Sequence, residues 1–162
     1  MKIKLSCKKL FSMKIFLLFL AMHSYAFFSS HEVNDEKSNL DIVKAYLQAR
    51  QKSMQENATS EDIDRVIVFY SDSLCYEHVL SPEKKFVFHG KDGLRNGYIS
   101  HLGETRNVKI ALVNYIQKQN IFVAEYSTTK EIIANGKIEE YKTVSLYELD
   151  QNGKIIHVID YL

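Results

Sequence analysis

Two Asn-Gly pairs, Asn135-Gly136 and Asn152-Gly153, limit most strongly what this chain can become. A tight hairpin turn needs positive φ at its central residues, and Asn and Gly tolerate that best. Both pairs lie between runs in which apolar and polar residues alternate. The alternation predicts strands over 106–116, 120–132, 138–149 and 154–161. Tight turns join antiparallel neighbours, so this half of the chain reads as a meander.

The preceding residues read mainly as helix. Ser38 followed by Asp41 resembles an N-cap with an acid at the third position. Ile42, Val43, Tyr46, Leu47 and Met54 then recur at helical spacing, which predicts a helix over 39–55. Thr59 or Ser60 caps a second helix, whose apolar side is Ile63, Val66, Ile67 and Tyr70. Glu61 and Asp62 in its first turn suit the helix dipole. "SLCYEHVL" and "KFVFHG" read as short strands on either side of Pro82. "GKDGLRNGYISHLG" predicts a third helix from about Asp92 to Leu102, stopped by Gly103. The order is α-α-β-β-α-β-β-β-β. Helices first and a long meander last is an α+β layout: three helices packed on a curved, mostly antiparallel sheet that leaves a cone-shaped cavity.

The 162 residues suffice for one domain, expected over 38–162, with a polar leader at 27–37. Residues 1–26 read as a secretory signal peptide. Five lysines precede or border the apolar run Ile15–Met22, and Ser24 and Ala26 form a small-x-small cleavage pattern. Met13 offers an alternative start. The run is shorter than the about 20 apolar residues that span a bilayer. Cleavage removes five lysines and no acid, taking the net charge from +1 to −4. An acidic domain is a poor partner for nucleic acid or anionic membrane. Only Cys75 then remains, and it reads as a small buried hydrophobe. No CxxC, HExxH or Gly-rich phosphate loop occurs, so no metal or cofactor is expected.

"FYSDSLCYEHV", "GKDGLRNGYISHLG" and the closing "NGKIIHVIDYL" together resemble the SnoaL-like branch of the nuclear-transport-factor-2-like superfamily, over roughly residues 39–162. The resemblance implies a cone-like α+β barrel with a deep pocket, often dimerised through its sheet. The superfamily holds ketosteroid isomerases, polyketide cyclases, epoxide hydrolases and non-catalytic members, so fold alone does not decide function. Aligned with the isomerases, Tyr46 matches their oxyanion donor. His78 stands where they have an Asp base, and Ser145 where they have a protonated acid. Aligned with limonene-type epoxide hydrolases, Asp160 matches one catalytic acid. Their Arg and second Asp would fall at Tyr126 and Thr128, so both are missing. A polyketide cyclase acid also matches Asp160.

Strand alternation gives an independent reading. Tyr141, Thr143, Ser145 and Tyr147 share one face, Tyr126 and Thr128 share another, and Val158 lies with Asp160. With Tyr98 from the third helix, these residues are expected to line a largely apolar pocket with a few polar tips. His78 and Asp160 either form a proton-transfer dyad, assisted by Tyr46, or are an ordinary histidine and a frayed chain end. Three functions follow: an exported domain that binds a small, largely apolar molecule, a lyase, isomerase or cyclase working through the dyad, and an anchored periplasmic assembly domain. Both faces of the last strand are apolar, which fits a homodimer through the sheet.

Overall fold

The computed structural model describes residues 35–81 and 83–161, with side chains from residue 39 onward. The expected signal peptide, and the leader as far as residue 34, lie outside the described residues.

Helix α1 runs Asp35–Ser53 and α2 runs Ser60–Ile67. Strand β1 is Tyr70–Ser81, β2 is Lys84–His89, and α3 is Lys91–Ile99. Four long strands follow: β3 Thr105–Lys118, β4 Ile121–Ile132, β5 Ile138–Leu149 and β6 Ile155–Tyr161. This is the expected element order, with changed boundaries. Helix α1 begins at Asp35, so Ser38 lies inside it and is not its cap. No Gly or Pro stands between 35 and 38 to stop the extra turn. Helix α3 ends at Ile99, and the chain turns through residues 100–103 to Gly103, whose φ of 75° needs glycine.

The six strands form one sheet in the order β2-β1-β6-β5-β4-β3. Every neighbouring pair is antiparallel except β1 with β6, which run parallel. That pairing starts β1 earlier than alternation suggested: Tyr70 is opposite Ile155, and the Ile155 N–H donates to the Phe69 carbonyl at 2.8 Å. It also puts the last strand in the middle of the sheet.

The three helices cover the concave face. Val43, Tyr46 and Leu47 form the buried stripe of α1, and Ile63, Val66 and Ile67 that of α2. They meet Tyr70 and Leu74 of β1, Leu94 of α3, Phe122 of β4, Tyr147 and Leu149 of β5, and Ile155 and Val158 of β6 in one core. Two glutamines, Gln51 in α1 and Gln55 just past its end, tie this part of the chain to the outer strand. Gln51 Oε1 accepts from the Ile110 N–H at 2.8 Å, and Gln55 donates to the Val108 carbonyl at 2.9 Å. Asp62 closes the start of α2 by accepting from the Thr59 N–H at 3.2 Å. Gly153, in the last hairpin, has φ of 71° and lies so close to Ile42 that a Cβ there would come within 2.7 Å of it. Among the described residues no helix is long and apolar enough to cross a membrane.

Candidate functional site

Cross-strand partners point to the same side of a sheet. On the concave side, register places His78 of β1, Asp160 of β6 and Ser145 of β5 in one row. Tyr76 and Val158 stand beside each other in the row below. Asp160 is therefore no frayed end: it is flanked by strands on both sides and only 6% exposed.

A buried carboxylate needs hydrogen bonds to replace its water. The Tyr76 hydroxyl donates to Asp160 Oδ2, and Ser145 Oγ donates to Oδ1 at 2.5 Å. Ser145 Oγ also lies 3.1 Å from the Tyr126 hydroxyl. Ser145 has one proton, and with that proton on the carboxylate, Tyr126 is left as the donor in this contact. Hydrogen bonds to a charged acceptor are among the stronger ones in proteins, so this cluster is held firmly.

A second polar cluster hangs from the helices. Tyr70 donates to the Tyr46 hydroxyl at 2.8 Å, and Tyr98 of α3 lies 3.3 Å from Tyr70. Arg50 of α1 is half-buried, with its guanidinium carbon 4.0 Å from the Tyr98 ring centroid. Among the described residues the guanidinium has no acid within ion-pair distance and no hydrogen bond; its neighbours are phenols. Burial works against the Arg50 cation, but the phenols of Tyr98, Tyr46, Tyr76 and Tyr70 hold its pKa well above the ordinary value.

The two clusters act on one set of phenols. Burial raises the pKa of Tyr46, Tyr76 and Tyr126, and in all three Asp160 pushes further up while Arg50 pulls down. The same phenols thus feel both an acid and a guanidinium, which do not pair with each other. The Tyr147 hydroxyl borders the same phenols and is fully buried. It makes no hydrogen bond of good geometry among the described residues, although the neighbouring Ser145 hydroxyl interacts with it weakly and pulls its pKa down against the effect of burial.

Solved structures share this architecture. An NTF2-like protein of unknown function from Exiguobacterium sp. 255-15 matches with a TM-score of 0.58 at 12% identity, over 74% of this chain and 95% of that one. An LEH-like epoxide hydrolase of M. tuberculosis matches at 0.60 and 19%, over 77% and 82%. A hypothetical protein with a ketosteroid isomerase-like fold from Catenulispora acidiphila, solved with trimethylamine, matches at 0.59 and 12%, over 75% and 85%. The chain has the NTF2-like fold. No protein-family profile and no curated protein matches it in sequence.

Within this NTF2-like sheet, Tyr126, Thr128, Tyr141, Thr143, Ser145, Tyr147 and Val158 all lie on the concave side, in register across β4, β5 and β6. Thr128, Thr143, Ser145, Tyr147 and Val158 are buried, whereas Tyr126 and Tyr141 are partly exposed. Tyr98 joins them from α3. Asp160, Ser145 and Tyr126 come together, and so do Tyr46 and Tyr98. His78 is nearby but not engaged: its Nδ1 is 3.9 Å from Asp160 Oδ2, beyond hydrogen-bond reach, and 29% of its side chain is exposed. The oxygen it faces already accepts the Tyr76 proton.

Three residues of the site escaped the sequence reading: Arg50, Tyr70 and Tyr76. Each left a signal. Arg50 stands seven residues after Val43 and four after Tyr46, on the buried stripe of α1, where a charge is out of place. Tyr76 alternates with His78 on β1. Tyr70 was assigned to the end of the second helix and instead opens β1.

Proposed function

We propose that the protein binds a small, largely apolar molecule between α1 and the concave face of the sheet, with the molecule's polar end between Asp160 and Arg50. One observation carries this reading: Arg50 is packed against the tyrosines beneath α1, and among the described residues it has no acid to pair with. A cation drawn out of water calls for an acceptor, and a ligand oxygen would supply it. The buried Tyr147 hydroxyl, which makes no hydrogen bond of good geometry among the described residues, supports the same placement. So does the fold, since one NTF2-like neighbour is an epoxide hydrolase and another was solved with trimethylamine.

Titration calorimetry with medium-chain fatty acids, their methyl esters and the matching alcohols tests the reading. Binding of the alcohols to the wild type, weakened about tenfold or more in Arg50→Met and in Asp160→Asn, is the expected result, since a hydroxyl can donate to Asp160 and accept from Arg50. If none of these compounds binds, or if both variants bind as the wild type does, the reading is wrong.

A second reading is proton-transfer chemistry as a lyase, isomerase or cyclase. It is favoured by Tyr46, which accepts from Tyr70 and so keeps its own proton for a substrate oxygen. Here His78→Ala abolishes turnover with little change in melting temperature, and Asp160→Asn abolishes it with a lowered melting temperature, since Asp160 accepts two hydrogen bonds inside the fold. Turnover that survives both removes the reading.

We also infer that the protein is exported after cleavage at Ala26 and pairs with a second copy through the convex side of the sheet. Val87, Val144 and Tyr161 are exposed on that side. A mature N-terminus at Phe27 and a dimer mass by light scattering are the corresponding measurements.

A further inference from the structure

We propose that the convex face of the sheet carries a zinc-class metal site formed by Cys75, Glu77 and His157. The ligand atoms of these three residues lie within 4.8 Å of one another. Donors each roughly 2.0–2.3 Å from a tetrahedral ion stand about 3.3–3.8 Å apart, so small side-chain rotations would draw these three onto a shared ion.

The fold brings the three together. Cys75 and Glu77 alternate on β1, so both point away from the helices, and the parallel pairing sets His157 of β6 directly opposite Cys75. All three are shielded: Cys75 is 8% exposed, and the Glu77 and His157 side chains are 13% and 14% exposed. Cys75 is not in a disulfide. Glu77 uses its two oxygens differently. Oε2 pairs with Lys85 at 2.7 Å, while Oε1 faces His157 Nε2 at 3.9 Å. Coordination through Oε1 would keep the Lys85 pair as an outer contact that fixes the carboxylate.

The donor set also selects the metal. One sulfur, one nitrogen and one oxygen suit a borderline-soft ion such as Zn2+ and disfavour Mg2+ or Ca2+, which take oxygen ligands. Three protein ligands leave the fourth tetrahedral position open. His89 of β2, opposite Cys75 on the same face and exposed, is the next imidazole in the row.

The test uses full-length protein, reduced and stripped with a chelator, then titrated with Co2+ as a spectroscopic probe and with Zn2+ against a chelating dye. The expected result is one equivalent bound, with a thiolate-to-cobalt absorption band in the near ultraviolet. Cys75→Ser should abolish that band. Glu77→Gln and His157→Gln should each weaken Zn2+ binding about tenfold or more. Circular dichroism of the metal-free variants checks that they fold, and Glu77→Gln, the mildest change, keeps the test open if Cys75→Ser does not. The proposal is overturned if the wild type binds no stoichiometric Zn2+. It is equally overturned if folded variants bind as tightly as the wild type, which would place the metal elsewhere.

Discussion

The two sides of β6 divide the molecule's chemistry between them. Toward the helices, Val158 and Asp160 meet Tyr76, Ser145 and Tyr126, and a charge is held by neutral hydroxyls. Away from the helices the sheet carries ion pairs such as Glu125 with Lys142 at 2.9 Å and Glu77 with Lys85 at 2.7 Å, and its charges face opposite charges. The difference shows how each side treats water. On the concave side water is excluded, so polar groups must be satisfied by short, fixed hydrogen bonds, and an unsatisfied one is costly. Where the convex side is open, as at Glu125 and Lys142, water competes, so the same charges cost and contribute little. The shielded patch around Glu77, 13% exposed, is the exception.

The comparison breaks most visibly in the core. Phe122 is fully buried on the concave side, whereas Ile116 of β3 is 54% exposed. Phe122→Ala should cost about 3–5 kcal/mol, and Ile116→Ala should stay within about 0.5 kcal/mol. Denaturant unfolding at neutral pH measures both. Equal losses would mean that the convex side is as tightly covered as the concave one.

The next effect belongs to the carboxylate. Tyr76→Phe keeps the ring and removes one donor to Asp160, and should cost about 1.5–3 kcal/mol, the range for a hydrogen bond to a charged group. On the convex side, a double-mutant cycle of Glu125→Gln and Lys142→Met should give a coupling of about 0.2–1 kcal/mol that shrinks in high salt. If salt leaves that coupling unchanged while the Tyr76 effect fades, water access has been assigned to the wrong side.

How much of this could be read from the sequence depends on range. The meander was legible because Asn135-Gly136 and Asn152-Gly153 fix their turns within a few residues, and strand alternation is equally local. Glycines 136 and 153 indeed have positive φ. The central place of β6 was not legible. It comes from the parallel pairing of β1 with β6, which brings residue 78 beside residue 160, and no local pattern encodes a contact at that separation. The same pairing makes Cys75 a neighbour of His157, so the three convex donors match no motif of fixed spacing. Arg50 is a different case. Its place on the buried stripe was readable, but hydrophobic periodicity counts apolar residues and passes over a charge among them.

The smallest loss is expected where the hydrogen-bond account is most exposed to failure. Tyr147 and Tyr76 are both buried concave-face phenols with raised pKa values, burial being the first cause in each. They differ in one respect: Tyr76 donates to Asp160, whereas the Tyr147 hydroxyl makes no hydrogen bond of good geometry among the described residues and meets only a weak interaction with Ser145. Removing a hydroxyl that lacks a well-formed hydrogen bond relieves its desolvation penalty, so Tyr147→Phe should cause no loss of stability and a gain of up to about 1 kcal/mol. The proposed ligand should reverse that order. If the hydroxyl serves a bound molecule, Tyr147→Phe weakens binding although the free protein is as stable as before or more so. Unfolding and calorimetry on the same variant separate the two effects. A stability loss as large as that of Tyr76→Phe would mean that Tyr147 already has a partner inside the fold, and Tyr147 would then no longer mark where a ligand sits.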